Sequence, residues 1–178
     1  MKKILFPVLL LACAMAAPAA EDLVLNGSGL RTKPIFGAMY ELSLNVPAGL
    51  KGSDAKTLIE SDQPMELVLL IKSGLITRKR FVDTTEGGFA KAAQSGYASE
   101  KTTAFLDQFA NTEFKKGDTV VMRQSSEGLS TLYRKQADAS ETTLGTIAGL
   151  DLKQALFAIW LGDSPVQASL KKALLGGQ

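Results

Sequence analysis

The clearest pattern along the chain is an alternation of apolar and polar side chains near its start. Between positions 36 and 46 one parity carries Phe36, Ala38, Tyr40, Leu42, Leu44 and Val46, which is typical of a strand with one buried face. The segment before it, separated by Lys33-Pro34, has one parity formed by Leu23, Leu25, Gly27, Gly29 and Arg31. The two runs predict a β-hairpin in which Arg31 points towards the apolar layer. Gly27-Ser28-Gly29 lies inside a strand pattern, which indicates a bulge or a close approach of a backbone or ligand rather than a phosphate loop.

Apolar spacing further along the chain predicts four more strands and five helices. The strands lie near residues 65–71, 119–124, 129–135 and 141–147. The helices lie near residues 53–61, 76–95, 99–111, 152–161 and 165–175, and Gly87-Gly88 is expected to weaken or kink the second. For the last helix we assign Ser164 as N-cap, Pro165 to the first position and Gln167 to a capping box. This order of elements predicts an α+β fold with a large, mainly antiparallel sheet.

The N-terminus has the pattern of a cleavable secretory signal peptide. Lys2 and Lys3 precede an apolar run over residues 4–17, and Ala17 and Ala19 fit a cleavage site after Ala19. We therefore predict a signal peptide over residues 1–19, one domain over residues 20–178 and a periplasmic location. A lipoprotein cut at Cys13 is a less favoured alternative, because it would leave an unusually short signal with a bulky leucine near the cut.

Composition excludes several kinds of chemistry. The 178 residues contain no histidine and a single cysteine, which argues against Ser-His-Asp and Cys-His nucleophiles and against zinc sites built on those side chains. Removal of Lys2 and Lys3 with the signal leaves 18 basic against 18 acidic residues, so no basic surplus supports nucleic-acid binding. We interpret Arg78-Lys79-Arg80, close to two acidic residues, as a solvated helix face. No cofactor and no metal are predicted.

Three stretches together resemble the bacterial branch of the chalcone isomerase-like family. They are Leu-Asn-Gly-Ser-Gly-Leu-Arg-Thr-Lys at 25–33 with Tyr40 after it, Lys-Lys-Gly-Asp at 115–118, and Ala-Leu-Phe-Ala-Ile-Trp-Leu-Gly-Asp-Ser-Pro-Val at 155–166. The resemblance extends over essentially the whole chain after the signal. It implies a large antiparallel sheet with helices packed on one face and a ligand cleft between sheet and helices.

The resemblance also implies which residues to examine. Plant chalcone isomerases close a flavanone ring with an arginine on the first hairpin, which corresponds to Arg31. A hairpin threonine of that family falls on Tyr40, and its tyrosine, asparagine and last hydroxyl fall near Phe89, Gly96 and Ile159. Only the arginine is retained. A tyrosine at the position of Tyr40 is similar to the fatty-acid-binding members, where arginine and tyrosine hold a carboxylate.

These observations predict a non-catalytic periplasmic binder of an apolar anionic small molecule such as a fatty acid, with Arg31 and Tyr40 as ligand-binding residues. An intramolecular lyase of the chalcone isomerase type, or a protein-interaction module without a small-molecule site, are the alternatives. Arg31 could instead form an ion pair with a carboxylate such as Glu66 or Asp151, or turn to solvent. The Tyr40 hydroxyl could instead bond a backbone carbonyl, and Trp160 is expected in the core.

Overall fold

A computed structural model of the protein describes residues 22–177, so the predicted signal peptide and Cys13 lie outside the described residues. The strands are β1 (Leu23–Lys33), β2 (Gly37–Pro47), β3 (Met65–Ile71), β4 (Thr119–Ser125), β5 (Gly128–Arg134) and β6 (Glu141–Ile147). The helices are α1 (Ala55–Glu60), α2 (Arg78–Gln94), α3 (Thr102–Asp107), α4 (Leu150–Leu161) and α5 (Ala168–Leu174), with a short 3-10 helix at Ala48–Leu50. The strands form one sheet in the order β1-β2-β3-β4-β5-β6, and every neighbouring pair is antiparallel. The predicted α+β class with an antiparallel sheet is confirmed.

The core lies between the sheet and the helices. On β3 every second side chain is buried, and these are Met65, Leu67, Leu69 and Ile71. The neighbouring β2 contributes the fully buried Leu42, Leu44 and Val46. A group of aromatic rings from α2, α3 and the loop after α3 covers part of this face: Phe81, Phe89, Phe105, Phe109 and Phe114. The alternation therefore does reflect one buried face in β3 and in β2 from Leu42 to Val46. It fails at the start of the predicted β2 run, where Phe36 is 60% exposed.

Helix α4 is enclosed more completely than the predicted apolar stripe suggested. Nine of its 12 residues are buried, including Lys153, whose side chain has no exposed surface. The Lys153 ammonium donates to the carbonyl oxygens of Leu58, Ile59 and Ser61 at 2.6, 2.8 and 2.8 Å, at the end of α1. Burial lowers the pKa of Lys153 to about 7, while the three carbonyl oxygens favour the charged form, because each accepts a hydrogen bond from the ammonium. The lysine thus joins α1 to α4.

The first strand contains a β-bulge directly before Gly27, and this bulge changes the predicted parity of the strand. Leu25 lies opposite Asn45, but Gly27 lies opposite Leu44, so Asn26 is an extra residue and the parity changes there. The prediction that every second residue from 23 to 31 lies on one face is therefore wrong, since Leu25 is 51% exposed. After the bulge, Gly27, Gly29 and Arg31 lie opposite Leu44, Leu42 and Tyr40. Arg31 consequently does lie on the face that carries the core residues of β2.

The glycines of β1 allow α5 to approach the strand closely. A Cβ on Gly27 would stand 2.1 Å from the carbonyl oxygen of Ala173, and a Cβ on Gly29 would stand 2.7 Å from the Cβ of Ala173. The buried Asn26 side chain fixes the same contact, because its amide nitrogen donates to the Leu174 carbonyl at 2.7 Å. The prediction of a bulge or close approach at these glycines is confirmed.

Helix α5 starts later than predicted. It begins at Ala168, and Gln167 precedes it without forming a side-chain cap, so the assignment of Ser164, Pro165 and Gln167 to a capping box is wrong. The physical reason is that the Gln167 amide is engaged with β1: its nitrogen donates to the Leu30 carbonyl at 3.3 Å. Helix α2, in contrast, continues through Gly87-Gly88 to Gln94.

Replacing Lys153 with methionine is expected to lower the free energy of unfolding by about 2–5 kcal/mol, since carbonyl groups buried against α4 would lose their donors. Urea unfolding of both proteins measures the change. Lys172→Met, on the exposed side of α5, is the matched control and should shift the free energy of unfolding by less than about 0.5 kcal/mol. Equal effects of the two substitutions would contradict the role of Lys153.

Candidate functional site

A cavity of about 630 Å³ lies between the β1–β2 hairpin, α2 and the C-terminal end of α4. This volume is within the usual range for small-molecule sites. Its apolar wall is formed by Met39, Leu69, Ile76, Phe81, Ile159 and Val166. Such a wall accommodates a hydrocarbon group, and the polar side chains at the cavity determine which head group fits.

Arg31 and Tyr40, the two predicted ligand-binding residues, both line this cavity. They are directly opposite each other on β1 and β2. Side chains of such a cross-strand pair lie on the same face of the sheet, close enough to contact one group together. The fold therefore places a guanidinium and a phenol side by side at an apolar cavity.

The Arg31 side chain is held by neutral acceptors. Its Nη1 donates to the carbonyl oxygen of Thr32 at 2.6 Å and to Oε1 of Gln167 at 2.8 Å. A guanidinium has five N–H donors, so these bonds leave those of Nη2 and Nε, which have no bonded partner within residues 22–177. One N–H of Nη2 together with the N–H of Nε has the geometry that matches the two oxygens of a carboxylate.

The carboxylates considered as ion-pair partners of Arg31 are engaged elsewhere. Glu66 pairs with Arg123 at 2.6 Å, and Asp151 pairs with Lys101 at 2.5 Å. Across the part of the chain that the structure describes, no carboxylate lies within 4.0 Å of Arg31. An internal ion pair therefore does not explain the position of this arginine.

The Tyr40 hydroxyl bonds to a side chain rather than to a backbone carbonyl. Its oxygen accepts from the indole Nε1–H of Trp160 at 2.9 Å. Burial raises the pKa of Tyr40, although the bond from Trp160 and the positive charge of Arg31 act in the opposite direction. The phenol is thus neutral at physiological pH, and its own proton remains available for donation to an anion. Trp160 is buried, as expected, and also lines the cavity.

The charges around the cavity favour an anion. Four cationic side chains line it: Arg31, Lys33, Arg80 and Lys91. The acidic residue among the lining residues is Asp83, and its carboxylate lies 2.6 Å from the ammonium of Lys79. A negatively charged head group would consequently meet a positive electrostatic potential here.

The positions that correspond to the other catalytic groups of plant chalcone isomerases provide no polar side chain. Phe89 is buried and packs edge-to-face on Phe105, with ring centroids 5.8 Å apart. Gly96 follows the end of α2 with a φ of 91°. Ile159 lies in the cavity wall and presents a hydrocarbon side chain.

Sequence reasoning missed three residues of the site. Gln167, which orients Arg31, was assigned to a helix cap. The alternation placed Met39 on the polar face of β2. A second register shift, between Arg31 and Thr32, explains the burial of Met39 because it makes Met39 an extra residue on β2. Gly87 lines the cavity without a side chain. Of the three, only Gly87 left a signal, as an unexplained glycine inside a helical pattern.

The described residues offer little for a metal centre or a membrane span. Residues 22–177 contain no group of three or more His, Cys, Asp or Glu side chains placed to hold a metal ion. Among the helices of this range, none combines the length and the apolarity that crossing a bilayer requires.

Comparisons with known proteins agree with the fold. The sequence profile of the chalcone isomerase-like family matches residues 13–176. A solved structure of a fatty-acid binding protein from Arabidopsis thaliana superposes with a TM-score of 0.64 and 16% sequence identity, covering 88% of each chain. At this identity the similarity shows a shared fold. No curated protein sequence matches the chain.

The adjacent glycines of α2 should respond differently to substitution by alanine. A Cβ on Gly87 meets no atom within 4 Å, whereas one on Gly88 would stand 2.9 Å from Cγ2 of Ile159. We expect Gly87→Ala to raise the free energy of unfolding by about 0.5–1 kcal/mol, because alanine favours a helix. Gly88→Ala should lower it or leave it unchanged, because overpacking costs roughly 1–3 kcal/mol. Thermal unfolding measures both, and equal stabilisation by both variants would contradict this packing.

Proposed function

This chain belongs to the chalcone isomerase-like family, and we propose that it is a non-catalytic binder of an apolar anionic small molecule, with a fatty acid as the ligand. The observation that carries the proposal is the Arg31–Tyr40 pair at an apolar cavity, where the guanidinium has no carboxylate partner among the described residues. Arg31 is half-buried, and a charge that is partly removed from water is stabilised by a compensating group. The ligand carboxylate supplies that group.

The proposed binding mode uses the donors that the protein leaves unoccupied. The two carboxylate oxygens accept from Nη2 and Nε of Arg31, and the Tyr40 hydroxyl donates to one of them. The bond from Trp160 orients the Tyr40 oxygen, and the bond to Gln167 orients Arg31. The hydrocarbon chain lies along the wall formed by Met39, Leu69, Ile76, Phe81, Ile159 and Val166.

Two further observations support a binder rather than an isomerase. The similar structure from Arabidopsis thaliana is that of a fatty-acid binding protein, which shows that this fold can hold such a ligand. The positions expected to assist ring closure are Phe89, Gly96 and Ile159, which have no group that donates or accepts a proton. General acid–base groups typically contribute about 10²–10⁴-fold to a rate, so an arginine alone would accelerate the reaction little.

The location that we propose is the periplasm. The support is the basic, apolar and small-residue order of residues 1–19, which is that of an exported protein. After cleavage the chain would contain neither cysteine nor histidine, which suits an oxidising compartment.

Substitutions at the two head-group residues should weaken binding of oleate in a defined order. Arg31→Ala is expected to cost about 2–5 kcal/mol of binding free energy, because the carboxylate would remain buried without a partner. Arg31→Lys should recover part of it, since an ammonium cannot form the bidentate contact. Tyr40→Phe should cost about 0.5–1.5 kcal/mol, the loss of one hydrogen bond. Isothermal titration calorimetry with oleate measures each affinity.

Arg134→Ala is the matched control for this series, because Arg134 pairs with Glu141 at the surface of β5 and does not line the cavity. Its oleate affinity should equal that of the wild type. Thermal unfolding of the same variants separates binding from stability. Wild-type oleate affinity in Arg31→Ala, whatever its melting temperature, would refute the proposed head-group site.

Export should produce a protein that begins at or near Ala20. N-terminal sequencing of the protein from a periplasmic fraction, with intact mass spectrometry, tests this expectation. A lipid-modified N-terminus at Cys13 would overturn both the cleavage site and a freely diffusing periplasmic protein.

A further inference from the structure

An exposed group of apolar side chains borders the cavity, and we call it the apolar rim: Ile35, Phe36 and Leu75. Their exposed fractions are 100%, 60% and 38%. Phe36 and Leu75 also line the cavity, and Ile35 precedes Phe36 at the tip of the β1–β2 hairpin. The apolar rim therefore joins the inside of the cavity to the surface. Exposed apolar groups at a cavity mouth are typical of surfaces that meet an apolar partner.

The hairpin tip holds Ile35 in a conformation that disfavours isoleucine. Its φ is 71°, and the Phe36 N–H donates to the Pro34 carbonyl at 2.8 Å across this one residue. This is the pattern of the classic γ-turn, which is rare and strained. Glycine or asparagine would adopt the backbone at a lower cost than a β-branched side chain. Neither burial nor local conformation accounts for an isoleucine here, which suggests that its side chain serves a contact outside the monomer.

The segments that carry the apolar rim are strongly basic. Residues 31–37 and 72–80 contain Arg31, Lys33, Lys72, Arg78, Lys79 and Arg80, and no acidic residue. Lys72 pairs with Glu41 at 3.0 Å and Lys79 with Asp83 at 2.6 Å. The other four have no carboxylate within 4.0 Å in the described range. Of these cations, Arg31, Lys33 and Arg80 line the cavity that the apolar rim borders. Apolar side chains beside cations fit a surface that is negatively charged outside and apolar beneath.

We propose that the apolar rim inserts into the surface of an anionic membrane, with the surrounding cations on the lipid head groups. Ile35 and Phe36 would reach the boundary of the acyl chains, as apolar side chains of interfacial proteins do. Each basic residue close to an anionic surface adds attraction that salt screens. In this orientation the cavity mouth faces the bilayer, and a fatty acid passes between bilayer and cavity without crossing water. This last step rests on the proposed function, whereas the docking itself does not.

Co-sedimentation with vesicles tests the docking. The wild-type protein should bind vesicles of equal parts phosphatidylglycerol and phosphatidylcholine, and bind pure phosphatidylcholine at least about tenfold more weakly. Raising the salt concentration to about 0.5 M should weaken binding to the anionic vesicles by a similar factor. Equal binding to both lipids, or no binding to either, would overturn the proposal.

Ile35→Asn is the diagnostic variant, because asparagine tolerates a positive φ and Ile35 does not line the cavity. It should bind the anionic vesicles about tenfold more weakly, keep its oleate affinity without vesicles, and unfold at the same or a higher temperature. Leu25→Asn is the matched control. Leu25 is 51% exposed but lies about 25 Å from the hairpin end of β1 at roughly 3.3 Å per residue. This variant should bind vesicles like the wild type.

The two proposals fail in distinguishable ways. Oleate binding together with vesicle binding that does not depend on Ile35 would overturn the docking and leave the proposed function in place. Vesicle binding that depends on Ile35, with no oleate binding by the wild type, would overturn the proposed function and support the docking. A wild-type dimer in analytical ultracentrifugation that Ile35→Asn dissociates, without vesicle binding, would assign the apolar rim to a second copy of the chain and overturn the membrane proposal.

Discussion

The burial of α4 is the constraint on which the arrangement of the site depends. Nine of its 12 residues are buried, so other elements must cover this helix on most sides. A different contact joins each neighbouring element to α4. Gly88 lets α2 approach Ile159, Lys153 bonds the end of α1, and Trp160 donates to Tyr40 on β2. The proposed head-group site is thereby tied to the rigid core rather than to a loop, which would keep the donors in place before a ligand arrives.

The cavity exists where this enclosure is incomplete. The two adjacent glycines of α2 differ in what lies beside them. Ile159 occupies the space beside Gly88, while the space beside Gly87 is open. Both glycines line the cavity, so the packed contact with Ile159 borders the open space. The wall opposite is formed by the β1–β2 hairpin, whose exposed tip carries Ile35 and Phe36. A packed core and an accessible apolar mouth thus occur within one small region.

The sequence predicted the sheet well and the first strand poorly, for a physical reason. Strands β2 and β3 are buried on one face, so their period-two pattern is strong. In β1 one extra residue reverses the parity, and the contact that fixes it is made by Asn26 with Leu174, 148 residues away. Local spacing cannot show such a contact. Arg31 does point towards the apolar layer, as predicted. The argument that it shares a face with Leu25 was wrong, because the bulge lies between the two residues. Gln167 was misassigned for the same reason, since its partners lie on β1.

The partners of Arg31 explain why this arginine is suited to hold an anion and why Arg123 is not. Arg123 bonds the carboxylate of Glu66, which orients its guanidinium and also neutralises it. Arg31 is oriented by the amide of Gln167 and the Thr32 carbonyl, which are neutral. Neutral acceptors fix the geometry of the side chain without reducing its charge, so the positive potential at the cavity persists. An anion that binds there meets donors that are already ordered, and less of the binding free energy is lost to ordering them. An arginine placed solely for stability would gain more from a carboxylate partner.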